Sequence, residues 1–134
     1  MNFRKENKTE GYWEKKLSKK EFHILRQGGT ELPHTGKYNN HFEDGVYLCK
    51  GCGNPLYKSN SKFDSRCGWP SFDECIENSI EYKKDYKIGV LRIEILCSKC
   101  GGHQGHVFND GPTKTKQRYC VNSASIDFIP KKNK

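Results

Sequence analysis

No apolar run in the 134-residue sequence approaches the ~20 consecutive residues that a membrane-spanning helix requires. The N-terminal stretch MNFRKENKTEGYW also lacks the apolar segment of a secretory signal. These two absences predict a cytoplasmic protein that makes no membrane contact. Structural disulfides are rare in that compartment, so we interpret paired cysteines as metal ligands or redox groups.

Hydrophobic residues are scarce as well. They make up 33% of the chain, and the mean hydropathy is -0.96. The length suits a single domain, but a core this lean needs a cross-link or a metal ion to reach ordinary stability. The seven cysteines are the obvious source of either.

Positive charge is in excess, with a formal net charge of +8. The lysines are scattered and concentrate only at residues 15–20 and in the tail at 131–134. We interpret them as solvated surface rather than as a nucleic-acid footprint. The charge still favours acidic partners at low salt.

Local patterns predict a mostly β fold with a short helix near the N-terminus. Ser18 and Glu21 form a capping box, and the helix that they start ends before Gly28. Alternation is clearest in KIGVLRIEILC, residues 87–97, where one side is apolar and the other carries Arg92 and Glu94. Further strands are predicted at 46–49, in HVFNDGP at 106–112 before its turn, and over 119–129.

Four cysteines stand in two similar knuckles, CKGCGN and CSKCGG. Each knuckle has a glycine after its second cysteine, which can adopt the positive φ that folds the backbone around the sulfur. Four thiolates suit a tetrahedral zinc with no open position, so one structural zinc per chain is predicted. Two redox-active C-x-x-C pairs or two disulfides are the alternatives. The predicted ligands are Cys49, Cys52, Cys97 and Cys100.

Three cysteines remain. Cys75 lies among apolar and acidic residues and is interpreted as a bystander, whereas Cys67 lies in a tight turn in FDSRCGWPSF. Cys120 lies in RYCVN, where an extended strand would project Arg118, Cys120 and Asn122 to one face. The Arg118 charge would favour the thiolate. A buried strand cysteine whose neighbours turn away is the alternative.

Two histidines follow the second knuckle in GGHQGHVFND. Because the knuckle fixes the start of this segment, His103 and His106 could face a common site, or they could be mere neighbours of the zinc site. A zinc hydrolase or deaminase is disfavoured because H-E-x-x-H does not occur in the sequence, although one H-x-E occurs at His41–Glu43. A basic zinc-ribbon module for nucleic acid would explain the knuckles, but it leaves Cys67, Cys120 and the histidines without a role.

The motifs KFDSRCGWPSF, GHQGHVFNDGP and RYCVNSASI, ordered around the two knuckles, closely resemble the methionine-R-sulfoxide reductases of the MsrB type. The resemblance covers nearly the whole chain and includes GGTE and GVYLCKGCG. It implies a β-tent of two antiparallel sheets with a structural zinc. The implied domain spans 12–129, between a loose tail at 1–11 and a basic tail at 130–134.

The resemblance also implies a role for each matching residue. Cys120 matches the nucleophile, which forms a sulfenic acid, and Cys67 matches the resolving cysteine that then forms a disulfide with it. Thioredoxin is the implied reductant, the R-epimer of protein-bound or peptide methionine sulfoxide the implied substrate, and a monomer the expected state. Trp69 and Phe108 match the apolar substrate wall; the residues that would polarise the sulfoxide or support the thiolate are His103, His106, Arg118 and Asn122.

The sequence departs from the family pattern at a few positions. Gln104 stands where leucine is most frequent, Arg66 where glycine is usual, and Asn109 where proline or aspartate is common. Arg66 could stiffen the turn beside Cys67 or lower the pKa of that thiol. Cys75 is an additional thiol that could compete as a resolving cysteine.

Overall fold

A computed structural model describes residues 10–131 of the chain, and it begins with two short helices. Helix α1 spans Glu10–Lys16 and helix α2 spans Lys19–Gln27. Both capping-box bonds that the sequence predicts for α2 are formed: the Glu21 N–H donates to Ser18 Oγ (3.1 Å), and the Ser18 N–H donates to Glu21 Oε1 (3.0 Å). Gly28 ends α2 in the left-handed conformation. Helix α1 carries no comparable sequence signal and was not predicted.

Nine strands in the described residues form two antiparallel sheets, which confirms the mostly β class. The larger sheet has the order β3-β4-β8-β7-β6-β5, and the smaller has the order β2-β1-β9. Within residues 10–131 no helix is long and apolar enough to cross a bilayer. The strands are β1 (Gly45–Cys49), β2 (Pro55–Lys58), β3 (Lys62–Phe63), β4 (Ser71–Phe72), β5 (Ile80–Asp85), β6 (Arg92–Cys97), β7 (His103–Phe108), β8 (Arg118–Val121) and β9 (Ile126–Pro130).

Three strand boundaries differ from the sequence-based expectations. Strand β6 begins at Arg92, because residues 87–91 form the turn of a hairpin with β5. Strand β7 begins three residues earlier than expected, at His103. The segment 119–129 is not one strand: a short 3-10 turn at 123–125 divides it between the two sheets.

The position of that division depends on Glu31. Its carboxylate accepts the backbone N–H groups of Ser123 (2.8 Å) and Ala124 (3.1 Å), which a continuing strand would present to a neighbouring strand. The chain therefore leaves the larger sheet directly after β8. The end of β8 is thereby held against the segment that contains Glu31, which is distant in the sequence.

Aromatic rings join the two sheets. Tyr57 of β2 stacks on Phe72 of β4 with ring centroids 4.4 Å apart, and Tyr47 of β1 packs edge-on against the same ring at 5.2 Å. All three are completely buried. Large rings bury more area per residue than aliphatic side chains, so a few of them compensate for the lean composition. The predicted domain limits remain a prediction, and residues 1–9 and 132–134 lie outside the described part.

Candidate active site and metal centre

The four knuckle cysteines converge, as the sequence predicts. Their sulfur atoms all lie within 4.8 Å of one another, and the pairs Cys49–Cys100 and Cys52–Cys97 are 3.7 and 3.5 Å apart. A zinc ion with Zn–S bonds of about 2.3 Å requires sulfurs about 3.8 Å apart in a tetrahedron. The donor set and its spacing therefore fit a four-thiolate metal ion.

Each knuckle begins at a strand end. Cys49 ends β1 of the smaller sheet and Cys97 ends β6 of the larger one. Gly53 and Gly101 have φ values of 81° and 77° and donate their N–H groups back to the Cys49 and Cys97 carbonyls. A metal ion at these sulfurs would thus link the two sheets.

The two helices close this cluster on one side. Arg26 of α2 donates from Nη1 to the Cys100 carbonyl (2.9 Å), and its guanidinium lies 4.7 Å above the Trp13 ring of α1. Trp13 is completely buried, and a Cβ at Gly51 would lie only 3.2 Å from its ring. Cys49, Cys97 and Cys100 are buried, while Cys52 is partly exposed. Burial of three of the four cysteines suits a structural metal site rather than one that binds a substrate.

Gln104, which stands where leucine is most frequent, is fully buried beside this cluster. Its Nε2 donates to the Ser125 carbonyl (3.1 Å), and its Oε1 accepts the Tyr57 hydroxyl (3.3 Å). Both ends of the amide are satisfied, so the polar residue imposes no penalty for an unpaired buried group. It also bonds the larger sheet to the turn after β8.

A cavity of about 210 Å³ opens on the larger sheet. It brings together seven of the eight side chains predicted outside the metal cluster, and His103 is the exception. Thr30 and Arg92 also line it and were not predicted. The predicted residues that line the cavity are Cys67, Trp69, His106, Phe108, Arg118, Cys120 and Asn122.

Cys67 and Cys120 face each other across this cavity with their sulfurs 3.8 Å apart. Cys120 lies on β8, between its cross-strand partners Ser71 and His106. The neighbouring strand β7 comes so close that a Cβ at Gly105 would lie 1.9 Å from the Cys120 carbonyl oxygen. Only glycine leaves room for β8 at this point, so Gly105 sets the position of the Cys120 backbone.

The pKa values of the two thiols shift in opposite directions. The contact with the Cys120 sulfur, together with the Ser65 hydroxyl that donates to Cys67 and the nearby Ser71 hydroxyl, lowers the pKa of Cys67 to about 4 despite its partial burial. The same interaction, together with burial, raises the pKa of Cys120, although Arg118 acts in the opposite direction. Arg118 thus favours the Cys120 thiolate as expected, whereas the contact with Cys67 and burial oppose it.

His106 is held by a carboxylate that the sequence analysis did not identify. Its Nε2 lies 2.7 Å from Asp85 Oδ2, and Asp85 is buried at the end of β5. The bond from His106, followed by the Lys87 N–H, lowers the pKa of Asp85 to about 2, whereas burial lowers the pKa of His106. The pair is therefore a carboxylate and a neutral imidazole that carries its proton on Nε2. Nδ1 then holds the lone pair.

His103 stands behind His106 rather than in the cavity. Its ring contacts the His106 ring edge-on, with centroids 5.6 Å apart, and its Nδ1 lies 2.6 Å from Glu94 Oε2. This bond lowers the pKa of Glu94 and explains why an acidic residue is buried in β6. His103 is thus connected to this cavity through the His106 ring.

Asn122 lines the cavity, but its amide is engaged in holding the chain. Its Nδ2 donates to the Gln104 carbonyl (3.2 Å), and its Oδ1 accepts the Glu31 N–H (3.0 Å). Trp69 Nε1 donates to the Glu31 carbonyl at 3.0 Å. These bonds hold the GGTE segment, residues 28–31, against the cavity that Thr30 lines. The sequence analysis named GGTE as part of the family resemblance but predicted no role for Glu31.

Arg118 is fixed by two contacts. It donates to both carboxylate oxygens of Asp110 (2.8 and 3.1 Å), and its guanidinium lies 4.5 Å above the Phe108 ring. The bond to Asp110 raises the pKa of Arg118 and lowers that of Asp110. A permanent positive charge is therefore fixed beside Cys120.

Two departures from the family pattern lie near Cys67 and Cys120. Arg66 adopts a φ of 63°, which accounts for the glycine usual at this position, and its N–H donates to Asp64 Oδ1 (3.0 Å). Cys75 contacts the Tyr119 hydroxyl at 3.9 Å. Because Tyr119 and Cys120 are consecutive in a strand, Cys75 lies on the opposite face of the sheet from the cavity.

Known proteins match this chain over most of its length. A sequence model described as the SelR domain matches residues 17–130. A protein of Teredinibacter turnerae named peptide methionine sulfoxide reductase MsrB is 53% identical, over 94% of each chain. A protein of Bradyrhizobium diazoefficiens with the same name is 46% identical over 92% of this chain and 90% of its own length. The chloroplastic peptide methionine sulfoxide reductase B2 of Arabidopsis thaliana is 54% identical over 92% of this chain and 61% of its own length.

One solved structure resembles the fold at low sequence identity. The crystal structure of the Mis18 "Yippee-like" domain superposes with a TM-score of 0.53 and 20% identity, over 68% of this chain and all of that one. At this identity the likeness concerns the fold alone.

Proposed function

We propose a reaction from one premise: the chain belongs to the SelR-domain family of MsrB-type methionine-R-sulfoxide reductases. It is accordingly an oxidoreductase that reduces peptide methionine sulfoxide. The observation that carries the proposed thiol mechanism is the Cys67–Cys120 sulfur pair, 3.8 Å apart in a cavity of about 210 Å³. That volume suits one side chain rather than a large cofactor.

The substrate side chain would bind with its two ends recognised differently. Trp69 and Phe108 offer apolar surface for the S-methyl group. His106 and Arg118 offer polar groups near the position that the sulfoxide oxygen would take. Asn122 and His103, which the sequence analysis placed at the substrate, would act by holding the GGTE segment and the His106 ring.

In the first step the Cys120 sulfur attacks the sulfoxide sulfur. The oxygen passes to Cys120, methionine leaves, and the proton lost from the Cys120 thiol ends on the transferred oxygen, which gives a sulfenic acid. His106 Nδ1 would accept that proton and return it, because Asp85 stabilises the imidazolium formed in between. Asp85 is thus a positioning residue that acts through His106.

In the second step the Cys67 thiolate attacks the Cys120 sulfenic sulfur. A disulfide forms, and the hydroxyl leaves as water after taking up one proton. The sulfurs need to approach by only about 1.8 Å to reach bonding distance. An external dithiol such as thioredoxin would then restore both thiols by exchange. This chemistry needs a reducing compartment, which supports the predicted cytoplasmic location.

We further propose that the four-cysteine cluster holds one structural zinc ion. The spacing of the four sulfurs and the burial of three of the four cysteines support this assignment. Zinc supplies stability when bound and takes no part in either step.

The test compares wild-type protein with Cys120→Ser and with Cys75→Ser as a matched control. After one equivalent of a peptide containing racemic methionine sulfoxide, mass spectrometry should find half of the peptide reduced and a Cys67–Cys120 disulfide in the wild type and in the control. Cys120→Ser should reduce nothing and should retain the zinc content of the wild type. Reduction of the peptide by Cys120→Ser would refute the assignment of the nucleophile.

A further inference from the structure

The turn of the β5–β6 hairpin, residues 86–91, is unusually apolar for exposed surface, and we call it the hairpin tip. Nine large hydrophobic side chains are exposed within the described residues, and four of them lie in this tip. Clustered exposed hydrophobic residues mark binding surfaces, whereas scattered ones do not. The four are Tyr86, Ile88, Val90 and Leu91, with exposures of 61%, 63%, 58% and 52%.

The hairpin tip is continuous with the active-site cavity. Asp85 and Arg92 pair across the base of the hairpin. Arg92 lines the cavity, and Asp85 bonds to His106 in its wall. A chain that inserts a side chain into the cavity would therefore extend over, or close beside, the hairpin tip.

The cavity accommodates one side chain, so the rest of a protein substrate must lie on the surface around it. Oxidation turns an apolar methionine into a polar residue and disrupts the core that contained it, which exposes neighbouring apolar segments. We propose that the hairpin tip binds the apolar residues that flank methionine sulfoxide in an unfolded polypeptide. This inference rests on the proposed function and names the substrate class of the same site.

Charge favours this occupant over a second copy of the chain. Lys83, Lys84 and Lys87 are exposed on the same hairpin, and the whole chain has a formal net charge of +8. Two such hairpins would repel each other, whereas an unfolded segment with acidic residues beside its apolar ones would be attracted. The preferred substrate is therefore both apolar and acidic around the sulfoxide.

The experiment uses the double variant Ile88→Ser/Val90→Ser. Its control is Ile129→Ser, which removes a slightly less exposed apolar side chain from β9 of the smaller sheet. Each protein is assayed on N-acetyl-methionine-R-sulfoxide and on an oxidised, carboxymethylated polypeptide, with dithiothreitol as the reductant. The double variant should lose about tenfold in kcat/KM on the polypeptide and nothing on the small substrate. The control should match the wild type on both.

An equal loss on both substrates, or no loss on either, would overturn the inference. A parallel assay with thioredoxin and a sedimentation run test the other occupants. The inference is also overturned if the double variant only has a raised KM for thioredoxin, or only dissociates a wild-type dimer, because the hairpin tip would then bind the reductant or a second copy. Failure of the wild type to reduce the small sulfoxide would instead refute the proposed function, and this inference with it. A lower ratio of kcat/KM on the polypeptide to kcat/KM on the small sulfoxide in the double variant supports the docking surface. The proposed function is tested separately, by the activity of the wild type on the small sulfoxide.

Discussion

The two groups of cysteines have nearly the same sulfur spacing but very different surroundings. Sulfurs lie 3.5 and 3.7 Å apart in the four-cysteine cluster and 3.8 Å apart in the Cys67–Cys120 pair. The cluster is closed by backbone turns and by Trp13, whereas the pair opens on a cavity and accepts bonds from serine hydroxyls. Solvent access and hydrogen-bond donors, rather than the distance between the sulfurs, distinguish a metal centre from a redox pair.

The largest expected effect concerns the closed cluster. Cys97→Ser removes one of four thiolates, and we expect loss of the metal and of the cooperative thermal transition. Structural zinc contributes about 10–16 kcal/mol in small zinc-dependent folds, as much as the 5–15 kcal/mol that stabilises a whole domain. Zinc analysis and a thermal melt followed by near-ultraviolet circular dichroism would measure both. Cys75→Ser is the control and should melt like the wild type.

A Cys97→Ser protein that keeps its transition would mean that the two sheets hold together without the metal. The aromatic contacts between Tyr57 and Phe72 would then supply the connection. The four-cysteine cluster would then not be needed for stability, and the distinction between it and the reactive Cys67–Cys120 pair would fail.

The open pair should respond in the opposite way. Cys67→Ser leaves the fold intact, because a half-buried side chain on a cavity wall is exchanged for a smaller polar one. With thioredoxin as the reductant, we expect about one methionine formed per enzyme, since the Cys120 sulfenic acid has no thiol partner within reach. Product counted over hours against enzyme concentration measures this ratio. Many thioredoxin-driven turnovers in a variant that lacks both Cys67 and Cys75 would exclude the disulfide relay.

The smallest expected effect concerns Asp85, which acts on the sulfur pair through His106. Asp85→Asn removes the carboxylate whose hydrogen bond raises the pKa of His106 against burial, so the His106 pKa should fall further. The limb of the pH–rate profile that reports His106 should move to lower pH, and kcat should drop about 10- to 100-fold because the amide favours the wrong tautomer. Asp127→Asn, which changes a partly exposed carboxylate on β9, is the control. An unshifted profile would mean that Asp85 serves stability alone.

Local signals in the sequence predicted the parts of the molecule that depend on neighbouring residues. Ser18 and Glu21 cap α2 within one turn, and each C-x-x-C knuckle is complete within four residues. Alternation identified the strand that ends at Cys97, although its apolar start proved to be a turn. The family resemblance then supplied the cavity residues, of which His103 alone lies outside the lining.

The remaining features depend on contacts between distant residues, which no local pattern reveals. Asp85 has no motif around it, and only the pairing of β5, β6 and β7 brings it to His106. The division of the segment 119–129 requires the Glu31 carboxylate, which lies about 90 positions earlier. The lowered pKa of Cys67 depends in part on Ser65 and Ser71, whose hydroxyls converge on that sulfur only after the turn has formed.

Burial of the four-cysteine cluster, which packs beside Trp13, sets the order in which an oxidant would damage this molecule. Peroxide reaches first the sulfurs that line an open cavity, and there a sulfenic acid can condense to a disulfide that thiols reverse. Three of the four knuckle cysteines are buried, and Cys52 alone is partly exposed. Under oxidative stress, Cys67 and Cys120, whose oxidation thiols can reverse, would therefore be oxidised before the buried cysteines of the cluster.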